Sequence, residues 1–333
     1  MKRFISLILT FVMLTIILSG CSQTDNSESV NSDGNISVVC TIFPQYDWVR
    51  QILGSKSDNM NLTLLLNSGV DLHNYQPTVD DIVKVSTCDL FIYVGGESDE
   101  WVDDALAEAT NPNMVVINLL DALGDVAKTE EIIEGMEENY DHDDGDTEDN
   151  HEDEEEYDEH VWLSLKNAEV FCVAIENALS SLDTGNAEEY QSNLEAYTEK
   201  LSALDAEYQT AVNAASGRTL LFGDRFPFRY LADDYGLECY AAFPGCSAET
   251  EASFETIAFL AEKVDELSLN TIMVTESADQ SIAKTIINNT KSKDQKILVL
   301  DALQSVTAGN VQNGTTYISI MESNLTVLKE ALQ

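Results

Sequence analysis

Twice along this chain, short β-rich runs alternate with segments of helical spacing, and one long helical stretch separates the two series. No other feature limits the fold as strongly. Strands that each feed a helix run parallel in one sheet, and a parallel sheet needs helices on its faces. In the first series ISVVCTIF (36–43), LTLLLN (62–67), DLFIYVGG (89–96) and MVVINL (114–119) read as strands. YDWVRQILG has helical spacing and a glycine stop, and Thr78 stands as an N-cap before a short helix. In the second series RTLLFG, ECYAAF, TIMVTES and KILVLDAL are the strands. They alternate with PFRYLADDYG, SFETIAFLAEKVDEL and SIAKTIINNT, and a last helix begins near Thr316. In between, Tyr190, Leu194, Tyr197, Leu201, Leu204 and Tyr208 recur at spacings of 3 or 4. The expected architecture is α/β: an N-terminal lobe (36–184) and a similar C-terminal lobe (215–333), with parallel-type sheets flanked by helices, joined by one long helix (185–214).

The start of the chain reads as a targeting segment rather than fold. Lys2 and Arg3 precede an apolar run from Phe4 to Leu18. Leu18-Ser19-Gly20-Cys21 resembles the bacterial lipoprotein box, which implies cleavage after residue 20 and a lipid on the Cys21 thiol. An ordinary signal peptide or an N-terminal anchor are the alternatives, and each gives an exported chain. Residues 21–35 are small and polar and read as a flexible tether. No later stretch has the roughly 18 apolar residues of a membrane span.

Charge narrows the partners. The formal net charge is −43, with only 17 Lys and Arg. Such a surface repels nucleic acid and anionic lipid headgroups and attracts cations. The acid is concentrated in residues 130–159, which hold 18 Asp or Glu, two His and no Lys or Arg. That stretch reads as a surface loop inside the first lobe. The chain has four histidines. His142 and His151 lie within the acidic loop. His73 follows the second strand, in the kind of loop where parallel sheets bind ligands, and His160 ends the acidic run. Imidazoles with nearby carboxylates suit a transition metal. After Cys21 five cysteines remain, with no C-x-x-C pair. Cys239 with Cys246, and Cys40 with Cys88, are candidates for disulfides in an exported protein; buried free thiols are the other reading for all five, Cys172 included.

Four segments together resemble the zinc and manganese solute-binding lipoproteins of bacterial ABC importers. TIFPQYDWVRQILG is similar to that family's opening strand and helix. GVDLHNYQPTVDDIVKVSTCDLFIYVGG resembles its first ligand segment, which implies His73 as a metal ligand. DEHVWLSLKNAEV resembles the second and implies His160. LDALQ resembles the C-terminal segment and implies Asp301. The resemblance covers nearly all of the exported chain. It implies two α/β lobes on a rigid connecting helix, with the metal in the cleft. It also implies that the acidic loop, with His142 and His151, collects cations. The family's third ligand falls on Arg225, whose guanidinium cannot ligate a cation. Asp224 serves if the turn shifts by one residue; alternatively Asp224 caps the helix and Arg225 pairs with a carboxylate. Glu276 matches an acidic position near the cleft, as reserve ligand or supporting partner.

The function implied is capture of a divalent metal, Zn2+ before Mn2+, by a monomer lipid-anchored outside the cell membrane, with delivery to an ABC permease. A metal-dependent hydrolase and a surface adhesin or metal buffer without a permease are the alternatives. Neither H-E-x-x-H nor G-x-S-x-G occurs to support hydrolysis.

Overall fold

The computed structural model describes residues 35–136, 156–247 and 251–333. Residues 1–20, most of the 21–35 tether with Cys21, and both loop histidines, His142 and His151, lie outside the described residues. The first lobe holds a four-stranded parallel sheet built from β1 (Ser37–Cys40), β2 (Asn61–Leu64), β3 (Leu90–Tyr93) and β4 (Val115–Asn118), in the order β2-β1-β3-β4. The second repeats it with β5 (Thr219–Phe226), β6 (Glu238–Pro244), β7 (Thr271–Val274) and β8 (Lys296–Val299), in the order β6-β5-β7-β8. Both sheets therefore reverse their winding beside the first strand, the place where open α/β sheets hold ligands beyond their carboxyl ends.

The helices follow the sequence pattern. α1 (Phe43–Leu53) starts earlier than its spacing suggests, because Pro44 fits the first turn and the Gln45 side chain accepts from the amides of Thr41 and Ile42. α2 (Val79–Thr87) is capped by Thr78 in a reciprocal pair with Asp81. Two short helices, α3 (Trp101–Ala107) and α4 (Leu119–Leu123), carry too few residues to show a period. α5 (Leu165–Leu182) then leads to α6 (Ala187–Ala214), whose 28 residues span about 42 Å. Its buried stripe is Tyr190, Leu194, Tyr197, Leu201, Leu204, Tyr208 and Val212. The second lobe adds α7 (Arg229–Tyr235), α8 (Phe254–Leu267), α9 (Ser281–Asn289), α10 (Ala308–Gln312) and α11 (Tyr317–Ala331).

The lobes are tied together firmly. One apolar cluster runs from Val39 and Phe91 through Leu201 and Tyr208 to Phe222, Leu303 and Met321, so the two halves share a core. α11 returns to the first lobe, where the Tyr317 amide donates to Asp47 Oδ2 at 2.9 Å and its hydroxyl to the Trp162 carbonyl at 2.7 Å. The Trp162 indole donates to the Ala302 carbonyl at 2.9 Å. Among the described residues no helix is long and apolar enough to cross a membrane.

Candidate metal centre

His73 sits in a 3-10 turn (Leu72–Asn74) beyond the end of β2. Asp71 caps that turn, accepting from the His73 amide at 3.1 Å. His160 precedes a second 3-10 turn (Val161–Leu163), and Asp158 Oδ1 accepts from its amide at 2.9 Å and lies 3.0 Å from its Nδ1. These two local devices turn the rings toward each other. Their Nε2 atoms are 3.1 Å apart, although 87 residues separate them in sequence. Two nitrogens on one tetrahedral zinc, each about 2.05 Å away, stand about 3.3 Å apart. The pair is thus already spaced as one edge of such a site.

One set of tautomers satisfies every contact around the pair. Ser98 Oγ donates to His73 Nδ1 at 2.7 Å, His73 Nε2–H donates to His160 Nε2, and His160 Nδ1–H donates to Asp158. For both Nε2 atoms to ligate, the His73 proton has to sit on Nδ1 instead. A receiver is in place: Glu159 Oε2 lies 3.4 Å from that nitrogen and is buried with no hydrogen bond of its own. Glu159 is held by its other oxygen, which accepts from the Ser98 amide at 2.8 Å. Gly96 makes room for it, since a Cβ there would come within 2.5 Å of Glu159 Oε1.

Electrostatics follow from burial and neighbours. Burial, reinforced by the adjacent His160, depresses the His73 ring to about 3. Burial also pulls on His160, but Asp158, with Glu159 and Asp71 behind it, leaves that ring above its ordinary value. Burial pushes Glu159 up to about 7. Asp301 rises to about 6, through burial first and then through the nearby Glu276 carboxylate. A cation among these groups would favour the ionised carboxylates and the neutral rings.

The remaining candidates are distributed unevenly. Among the described residues, the group of metal-binding side chains whose donor atoms all fall within 4.8 Å of one another is His73, His160 and Cys246. Asp301 lies outside that group, on the loop after β8, with Oδ1 accepting from the Leu303 amide at 2.8 Å. Glu276, after β7, fastens that same loop. Its two oxygens accept from the amides of Ala302, Gln304 and Ser305 at 2.8, 3.1 and 3.2 Å. Asp224 Oδ2 accepts from the Thr275 amide at 2.9 Å. It does not cap a helix: the N-cap of α7 is Phe228, and no side chain caps it. Arg225 does pair with a carboxylate, Asp71, at 2.6 Å. The pairing of β5 with β6 slips between Phe222 and Arg225, and such a bulge re-aims the side chains beyond it.

Cys246 was not singled out as a ligand from sequence. From sequence it reads as a disulfide partner or a free thiol, and all five described cysteines are free, so neither the Cys239–Cys246 nor the Cys40–Cys88 bridge forms. Cys239 and Cys246 stand at opposite ends of β6, and five extended residues cover more than about 16 Å, far beyond the roughly 7 Å limit for a bridge. The usable signal was Gly245 before it. A Cβ at residue 245 would stand 2.9 Å from His160 Cε1 and 3.0 Å from the Phe226 carbonyl, so only glycine lets this segment close on the ring.

A family model described as zinc-uptake complex component A, periplasmic (ZnuA), matches residues 38–331. The chain belongs to this family. It is 32% identical over 330 residues to the zinc-binding lipoprotein AdcA of Streptococcus pneumoniae serotype 4, covering 99% of this chain and 61% of that protein. It therefore spans about three-fifths of the AdcA length. It is 30% identical over 318 residues to the high-affinity zinc uptake system protein ZnuA of Bacillus subtilis, covering 95% of this chain and 94% of that one. The Zn(II)-bound ZnuA-like domain of S. pneumoniae AdcA superposes with a TM-score of 0.67 at 28% identity, over 90% of this chain and 99% of that one. The family's fold, two parallel-sheet α/β lobes flanked by helices and linked by one long helix, is the fold found here.

Proposed function

We propose that this protein is the extracytoplasmic binding component of an ABC importer, which takes up a divalent transition metal in the interlobe cleft and hands it to a membrane permease. Zinc is the favoured cargo and manganese the next. The observation that carries the reading is the His73–His160 pair, two Nε2 atoms 3.1 Å apart with the opposite ring nitrogens already engaged. Imidazole nitrogens at tetrahedral spacing suit zinc, whereas manganese prefers oxygen donors. Asp301, fastened through Glu276, is the carboxylate we assign to the same ion. The acidic stretch between Glu130 and Glu159, with His142 and His151, would gather cations toward the cleft, and Cys21 would carry the lipid anchor. No catalytic reaction is assigned, since the family description and the relatives' names are those of binding and uptake components.

Equilibrium dialysis of the exported chain against mixed zinc and manganese, followed by metal analysis, tests the reading. Zinc should be retained at about one ion per chain, and His73→Ala or His160→Ala should abolish retention. Preferential manganese retention would reverse the assignment of cargo, and retention undiminished in both variants would remove the site. Cys21→Ser should release the protein from membranes into the soluble fraction.

A further inference from the structure

We infer that Cys246 is a third protein ligand of the ion, which this chain then holds through two imidazoles and a thiolate beside the Asp301 carboxylate. This inference rests on the metal-capture reading above and adds a sulfur donor from the second lobe. Arg225 has no lone pair to offer and is committed to Asp71 at 2.6 Å. The sulfur of Cys246 is instead a donor atom from the second lobe that lies within 4.8 Å of one ring nitrogen of each histidine.

The segment bearing it is built to stay there. The Cys246 amide donates to Glu130 Oε1 at 3.1 Å, which fastens it to the opposite lobe. The Ser247 amide closes a turn on the Pro244 carbonyl at 3.4 Å. Gly245 lies so near the His160 ring that a Cβ there would meet its Nδ1 at 3.1 Å. With a zinc–sulfur bond of about 2.3 Å, a tetrahedral site needs sulfur about 3.6 Å from each nitrogen, and the Cys246 sulfur stands no more than 4.8 Å from one nitrogen of each ring. Burial, and then the near carboxylates, push the Cys246 thiol up; on ligation the sulfur's proton leaves to solvent and its lone pair goes to the ion. A packing cysteine would need neither two facing imidazole nitrogens nor a glycine cut to fit against one of them. One soft donor beside two borderline ones selects zinc and cadmium and disfavours manganese.

Cobalt reports the donor set directly. The full chain loaded with Co2+ should show a thiolate-to-metal charge-transfer band in the near ultraviolet with the intensity of one sulfur. Cys246→Ser should lose that band and keep visible ligand-field bands, and Cys246→Ala should lose it as well. Cadmium affinity should fall in Cys246→Ser by at least the roughly 10- to 100-fold that loss of a merely supporting group costs. A cobalt-loaded wild-type chain without the band, or a band that survives Cys246→Ser, would overturn the inference and leave metal capture standing. Failure of the chain to bind cobalt or zinc at all would overturn both. The wild-type spectrum decides even if a variant misfolds.

Discussion

Glu159 shows how much of this site is one proton's position. Its Oε2 is buried without a partner, 3.4 Å from His73 Nδ1, and an ion on Nε2 gives it that partner. Glu159→Gln should therefore lower zinc affinity about 10- to 100-fold with both histidines intact, measured by competition with a chromophoric chelator. Acid separates metal binding from folding. Asp99 and Asp301 are pushed up to about 6, and Glu159 to about 7, each chiefly by burial. Unfolded carboxyls titrate near about 4, so between pH 7 and about 5 the folded state binds more protons than the unfolded one. Stability of the metal-free protein then rises as pH falls across that window. His73, depressed to about 3, opposes with a single proton that the unfolded chain takes up below about 6.5. Calorimetry should find the midpoint of the metal-free protein higher at pH 5 than at pH 7, while the increment given by zinc shrinks as protons compete for its ligands. A midpoint that falls along with the zinc increment would contradict this.

α6 was readable almost side chain by side chain, because seven buried residues on one face of 28 leave a long period to detect. Leu201 is fully buried in that stripe. Leu201→Ala should cost about 2–5 kcal/mol in denaturant unfolding, with zinc affinity changed far less, since the helix touches no ligand. The eight strands were legible as short apolar runs bounded by polar turns. α3 and α4 were not, because 7 and 5 residues do not establish a period. His73 and His160 were found through the segments around them, each a histidine where a loop enters an element. Cys246 was missed because its meaning depends on how the lobes pack. It lies 86 residues beyond His160, and only the glycine before it distinguishes it locally from four other thiols. Asp224 as a helix cap failed for a related reason, since the bulge in β5 turns it toward Thr275.

The whole molecule is a stiff pair of lobes. A shared core, α11 folded back on the first lobe and the Trp162–Ala302 bond all resist opening. Small-angle scattering should show nearly the same radius of gyration with and without zinc, about 19 Å for the folded part; a large compaction would count against the shared core as a brace. The net charge of −43 should make zinc association faster at low ionic strength than at high, and removal of residues 137–157 should slow capture more than it weakens final affinity. Stopped-flow mixing of zinc with the two chains across a salt series measures both. Lobes braced by a shared core change outline hardly at all around a guest. Any transporter that docks on them must tell full from empty by a few atoms at the rim, where the Gly245–Cys246 turn faces His160, rather than by the embrace of closing jaws.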